Sequence, residues 1–220
     1  IRRFSLQSKV VLMTSAVLIV LPALYFFFFE YDHETIHDRT IHSLFQSVTT
    51  RTAGFNTTDL AAMDESGTAI MIILMLIGGS PGSTAGGMKT ATFAVLFLSA
   101  ITVFSRRNDV QCFKRRISDE AVRSAGAVLF MYLVLFLTSG IIISRVENLP
   151  LLTCLFETSS AIGTVGLTLG ITSGLSAVSR AILMILMFFG RVGGLTLIYA
   201  ALPSADSQNS RLPLEKISVG

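Results

Sequence analysis

Charge is scarce in this sequence. Asp, Glu, Lys and Arg together make up 14% of 220 residues, too few to clothe the surface of a soluble domain of that size. The net charge of +3 is too small to argue for nucleic acid as a partner. Cysteine is nearly absent, with Cys112 and Cys154 alone. Cys112 sits in a basic stretch and Cys154 in an apolar one. The topology that the clustered positive charges set puts them on opposite sides of a membrane, which excludes a bridge and leaves two thiols. What the chain does have is apolar residues, 51% of the total, with a mean hydropathy of +0.68. These values point to a polytopic membrane protein.

The positive charges are clustered. Arg2, Arg3 and Lys9 precede the first apolar run, and Arg106, Arg107, Lys114, Arg115 and Arg116 share a middle loop. The positive-inside rule makes both segments cytoplasmic. Val10 to Phe29 is a run of twenty residues, about 30 Å as a helix and one hydrocarbon thickness. Pro22 is expected to kink it, and the aromatics Tyr25 to Phe29 with Tyr31 suit the outer interface. Ile41 to Val48 resumes apolar spacing but is too short to span. A re-entrant pore helix fits it, with its negative C-terminal end aimed at a cation.

Two loops then share a pattern. Thr50-Arg51-Thr52-Ala53-Gly54-Phe55-Asn56 follows Leu44-Phe45-Gln46, and Gly163-Thr164-Val165-Gly166-Leu167-Thr168 follows Leu155-Phe156-Glu157. From Phe to the loop Gly is nine residues (45 to 54) in one copy and ten (156 to 166) in the other. The second loop keeps Thr-Val-Gly of the Thr-Val-Gly-Tyr-Gly run that lines potassium-channel filters, with Leu167 and Thr168 in place of Tyr and Gly. Glycine lets the chain turn carbonyl oxygens inward to replace a cation's water.

The chain therefore reads as two copies of one unit. Residues 1–116 hold a membrane helix 10–29, a pore helix 36–49, a filter 50–56 and a broken membrane helix 68–104. The break is Gly78-Gly79-Ser80-Pro81-Gly82-Ser83-Thr84-Ala85-Gly86-Gly87. Two short apolar segments around a Gly/Pro-rich interruption signal a discontinuous helix lining a cavity. Residues 117–220 hold a membrane helix 122–144, a pore helix 149–161, a filter 163–168, a membrane helix 178–201 and a cytoplasmic tail.

Arg51, Lys89, Glu157 and Arg191 fall at membrane depth, where charge is costly unless paired or wet. Lys89 follows the glycine-rich break and either serves it or snorkels to the cytoplasmic surface. Arg191 is expected to project below the filter and meet the glycine-rich loop. Arg51 is expected to point behind the filter, with Glu157 a candidate acidic partner.

Two motifs point elsewhere. His33-Glu34-Thr35-Ile36-His37 matches H-E-x-x-H and, on a helix, sets both His on one face as in an intramembrane zinc protease. A catalytic zinc needs a third ligand. His42 lies five residues past His37, not the six of the extended motif, and the intervening Gly is missing. The favoured reading is a polar helix start at the outer mouth, without zinc. Gly82 to Thr90 nearly spells a phosphate-binding loop, but Met88 is one residue too many before Lys89.

Taken together, the runs 49–56, 78–90, 163–167 and Gly190-Arg191-Val192-Gly193 resemble the second half of the Trk/Ktr/HKT superfamily of potassium transporters. The Ser-Pro-Gly-Ser-Thr-Ala-Gly-Gly run resembles the Ktr membrane subunit, KtrB, more than Trk. The resemblance implies an all-α membrane protein with four channel-like repeats around one pseudo-fourfold pore, of which this chain carries two, similar to the third and fourth. Either a missing N-terminal half supplies two further repeats, or two chains close one pore; the first is favoured because the copies differ.

The resemblance further implies potassium uptake by an ion-conducting subunit in the cell membrane, not an enzyme. A sodium-preferring or poorly selective transporter is the alternative. The expected filter is Thr52, Ala53, Gly54, Phe55, Thr164, Val165, Gly166 and Leu167, binding potassium through carbonyls. The expected gate is Gly78 to Gly87 with Lys89 and Arg191. No cofactor is expected in this chain. The implied partners are membrane lipid, a second copy in a homodimer, and a cytoplasmic RCK-type ring carrying a regulatory nucleotide. The basic loop at Lys114 to Arg116 is either its contact or ordinary topology charge.

Overall fold

The structure is a computed structural model and describes residues 4–107 and 109–193. Seven α-helices follow one another among these residues, with one small β-hairpin. Helix α1 spans Leu6–Tyr25 and opens on Ser5, whose hydroxyl accepts from the Ser8 amide at 3.2 Å. Phe26–Glu30 continue it as a π-helical turn, giving an apolar rod of 25 residues. Pro22 lies inside α1 and cannot donate to the carbonyl one turn back, that of Leu18. The hydroxyl of Ser47, from the next helix, sits over that gap at 3.5 Å from Leu18 O and 2.7 Å from Ile19 O. Arg39 performs the same service at the π turn. Its guanidinium lies 4.2 Å over the Phe27 ring centroid and donates to the Phe27 carbonyl.

Helix α2, Ile36–Thr49, starts at Thr35. The Thr35 hydroxyl accepts from the Asp38 amide at 3.4 Å and donates to its carboxylate at 2.7 Å, a variant of the capping box. With 14 residues it is about 21 Å long and cannot span a bilayer. Helix α3, Glu65–Leu76, and helix α4, Thr90–Phe104, are the two halves of the interrupted crossing. Between them the chain pinches at its base. Gly78 N donates to Met88 O at 2.8 Å, Met88 N to Leu76 O at 3.0 Å and Thr90 N to Gly79 O at 3.1 Å.

The basic loop contains a feature that the sequence reading did not anticipate. Strand β1, Gln111–Cys112, pairs antiparallel with β2, Arg115–Arg116, and Phe113 and Lys114 take positive φ in the turn. Helix α5, Asp119–Glu147, is 29 residues long, capped by Ser118 and closed by Asn148 at φ 54°. Helix α6, Leu151–Ile162, is the second short helix, and α7 covers Ala177–Val192 from its cap at Ser176. The expected last span runs on to residue 201 and into the tail; its part beyond 193 lies outside the described residues.

Helix α6 is the centre of the packing. It lies against α3, α5 and α7, while α1 packs on α2 and α4. Its residues 156–162 are all buried. Phe156 and Phe26 are fully enclosed with Met71 and Met75 in one cluster; Ile143, Ile162 and Leu186 close a second. The close approach of α7 depends on Gly190, where a Cβ would collide with the Ile162 carbonyl. The outward face is apolar instead of charged: Leu12, Phe29, Phe97, Phe130, Met184 and Phe188 are each more than half exposed. Leu6–Glu30 and Asp119–Glu147 are long and apolar enough to cross a membrane.

Candidate functional site

Each short helix ends in the same kind of loop. At the end of α2, the amides of Ala53 and Gly54 both donate to Thr49 O at 3.1 Å, and the Thr49 hydroxyl donates to Phe55 O at 2.6 Å. At the end of α6, Gly163 N donates to Ser159 O at 2.8 Å and Val165 N to Ser160 O at 2.9 Å. The Ser160 hydroxyl then accepts from Gly166 N at 3.2 Å.

The backbone of the two loops alternates in the same way. Thr52 has φ 67° and Gly54 φ 74°; Thr164 has φ 50° and Gly166 φ 94°. Ala53 and Val165 between them are not left-handed. Alternating hand along a chain turns successive carbonyls toward one side. For a β-branched residue the left-handed region is strained, at about 1–3 kcal/mol each. Two Thr residues at matching positions share that strain. The sequence flagged the glycines but gave no sign that the threonines two residues earlier are left-handed too.

The loops meet. Thr52 Oγ1 lies 3.5 Å from Gly163 O, and a Cβ placed on Gly54 would collide with Val165 O. Gly54 is thus held by conformation and by space together. Gly166 is held by conformation alone, since nothing among the described residues lies within 4 Å of its Cβ position. Of the other residues expected here, Ala53 and Phe55 are exposed, while Val165 and Leu167 are buried.

The glycine-rich segment 78–87 lies against the second loop. Gly86 N donates to Thr164 Oγ1 at 3.0 Å. Its tip, Gly82 to Thr84, is exposed, and Gly86 and Gly87 are buried. Two cations converge on three consecutive carbonyls. Lys89 Nζ donates to Ser83 O at 3.3 Å and Ala85 O at 2.5 Å, and the Arg191 guanidinium donates to Thr84 O. Lys89 therefore folds back on the loop. Within 82–90 the amides of Ser83, Gly86, Met88 and Thr90 already have protein acceptors, which leaves them no role as a phosphate cradle.

Arg51 and Glu157 do not pair. Arg51 reaches back to α1, 3.4 Å from Ser15 O and 3.3 Å from Ser15 Oγ. Glu157 turns to its own unit, where it accepts from Thr168 Oγ1 at 2.5 Å, Leu169 N at 3.1 Å and Thr172 Oγ1 at 2.9 Å. Each has hydrogen-bond partners of its own, acceptors on Ser15 for Arg51 and donors at 168–172 for Glu157, but neither gains an ion-pair partner among the described residues and Arg51 Nε is left without an acceptor. The His pattern is corrected as well. His33 precedes the cap Thr35 and lies outside α2, so His33 and His37 share no helical face. His42 Nδ1 is 2.8 Å from Glu34 Oε2. Among the described residues no three His, Cys, Asp or Glu side chains group as a metal site.

Short helices ending in paired, left-handed loops beneath apolar spans define a helical membrane protein built of repeated pore-helix units. The family model described as TrkH, cation transport protein, matches residues 1–210. The chain belongs to that family, which comprises transport proteins and not enzymes. It is 37% identical over 222 residues to the Ktr system potassium uptake protein D of Bacillus subtilis, covering 99% of this chain and 49% of that protein. It is 33% identical over 231 residues to the potassium/sodium uptake protein NtpJ of Enterococcus hirae, covering 100% and 51%. The chain spans about half the length of the curated relatives it matches. The crystal structure of the potassium transporter TrkH from Vibrio parahaemolyticus aligns with TM-score 0.72 and 21% identity, covering 89% of this chain and 44% of that one; the likeness is one of fold.

Proposed function

We propose that this chain is the third and fourth repeats of the ion-conducting subunit of a Ktr-type potassium uptake system in the cell membrane. The observation that carries the reading is the matched backbone of Thr52-Ala53-Gly54 and Thr164-Val165-Gly166, side by side at the ends of two short helices. Carbonyls turned to one side replace the hydration shell of a cation. Helix ends α2 and α6 add partial negative charge. Two further repeats from a preceding half would complete the ring. The choice of ion follows the relatives, potassium for one and potassium or sodium for the other.

In this reading residues 78–87 are an intramembrane gate. Lys89 and Arg191 hold its tip carbonyls, and opening requires those bonds to break. Helix α7 carries Arg191, so movement of α7 is the natural trigger. A homodimer and a cytoplasmic ring with a regulatory nucleotide complete the assembly, the exposed hairpin at Lys114 to Arg116 being its candidate contact. A sodium-preferring relative is the second reading, favoured by Leu167 and Thr168 standing where a potassium channel has Tyr and Gly. Isotopic uptake by the whole transporter, in bacteria stripped of other potassium uptake, tests both. Potassium uptake saturating at low concentration and resisting excess sodium supports the first; sodium uptake that potassium does not compete with supports the second.

A further inference from the structure

Glu157 is an ionisable side chain with 4% of its surface exposed, one helical turn before the end of α6 and behind the outer end of the second loop. Three donors converge on it: the Thr168 and Thr172 hydroxyls and the Leu169 amide, at 2.5 Å, 2.9 Å and 3.1 Å. Thr168 Oγ1 in turn accepts from Gly170 N at 2.9 Å. An ionised carboxylate accepts and never donates, and a set made only of donors is the set it requires. No basic side chain among the described residues lies within 4.0 Å of it; the ion pairs there involve other carboxylates. The matching position in the first unit, after Leu-Phe, is the neutral amide Gln46. It bonds Met71 Sδ at 3.0 Å and leaves its Oε1 unpartnered.

The two units thus differ in charge at one structural position. A buried carboxylate without a cationic partner is costly unless something of opposite sign comes close. From this geometry we infer that Glu157 is a positioning and specificity-determining residue of the filter, with the passing cation as its counter-ion. This rests on the cation-conducting reading of the loops and adds a fixed charge to it. The carboxylate acts in two ways. It clamps Thr168 to Thr172, the segment leaving Leu167, onto the pore helix, which fixes where the preceding carbonyls point. It also lowers the potential of the outer filter, where the low dielectric makes one charge count for more than in water.

The test is initial-rate potassium influx through the whole transporter, in cells without other uptake, with membrane amounts measured alongside. Glu157→Gln keeps the shape and removes the charge. It is expected to raise the half-saturating potassium concentration about tenfold, equivalent to ~1.4 kcal/mol, with the maximal rate within about twofold. Glu157→Asp keeps the charge and should recover most of that loss. Thr172→Val keeps the charge and loosens the clamp, so sodium should compete more strongly while half-saturation moves less. Wild-type half-saturation in Glu157→Gln overturns the inference alone. So does an equal loss of membrane protein in both the Gln and Asp variants with Thr172→Val unchanged in sodium competition, which would assign Glu157 to packing only. A whole transporter that moves no cation overturns the parent reading and this inference with it.

Discussion

The hydroxyl of Thr164 accepts a hydrogen bond from the amide of Gly86 at 3.0 Å. One side chain of the second filter loop therefore holds one backbone group of the glycine-rich segment. A Cβ on Gly86 would collide with that side chain, so loop and filter are in direct contact. Thr164→Val strands the buried Gly86 amide at about 1–3 kcal/mol. The held position of the loop should become less populated, and resting cation leak should rise several-fold on that scale. Thr164→Ser retains the acceptor and should leak little. Leak measured in proteoliposomes of the whole transporter checks both.

The two loop glycines should not be equivalent. Gly54 has positive φ and no room, while Gly166 has positive φ and open space. Gly54→Ala should therefore cost more than Gly166→Ala, since only the former drives a methyl group into the Val165 carbonyl. Gly166→Ala should cost about 1–2 kcal/mol, the strain of a left-handed residue with a side chain. Competing sodium uptake, measured for each variant, should report a larger loss of potassium preference at Gly54.

The tip of the segment 78–87 is held by two cations, and each should be separable. Arg191→Ala removes the guanidinium from Thr84 O, and Lys89→Ala frees Ser83 O and Ala85 O. Charge-assisted bonds of this kind are worth about 1.5–3 kcal/mol. Each variant should raise flux severalfold, and deletion of residues 80–85 should make both irrelevant. An unchanged rate in the deletion would make the segment a linker and not a barrier.

Much of this arrangement was legible in the sequence. Short apolar runs announced α2 and α6, and the Gly/Pro-rich interruption announced the break between α3 and α4. The two loop glycines, at similar spacing after Leu-Phe, pointed to the loops, and Lys89 and Arg191 were among the charges flagged at membrane depth. The partners of Arg51 and Glu157 were not legible. Arg51 meets acceptors on the earlier helix α1 and Glu157 meets donors from the segment after it; both depend on how distant stretches of chain pack together, which no periodicity encodes. Ser47 and Ser160 were missed for a related reason. A serine in an apolar helix looks incidental until a carbonyl freed by Pro22, or an amide at Gly166, is seen opposite it.

That relationship makes a prediction about stability. Ser47 Oγ lies 2.7 Å from Ile19 O and beside Leu18 O, which Pro22 leaves without its helical donor. Ser47→Ala should destabilise the detergent-purified transporter by about 1 kcal/mol. Pro22→Ala restores the donor to Leu18 O only and leaves the 2.7 Å bond to Ile19 O in place, so the cost of Ser47→Ala should fall in part when Pro22 is already replaced. A double-mutant cycle on the unfolding temperature should show that coupling, whereas independent sites would be additive.

Cation conduction here requires two loops offering oxygen atoms to one dehydrated cation. Its most direct test is the anomalous signal of rubidium or thallium in crystals of the whole transporter. The predicted result is density on a shared axis, within coordination distance of backbone carbonyls from both 52–55 and 164–167. Density confined elsewhere, or none at these loops under conditions where the ion is transported, would contradict it.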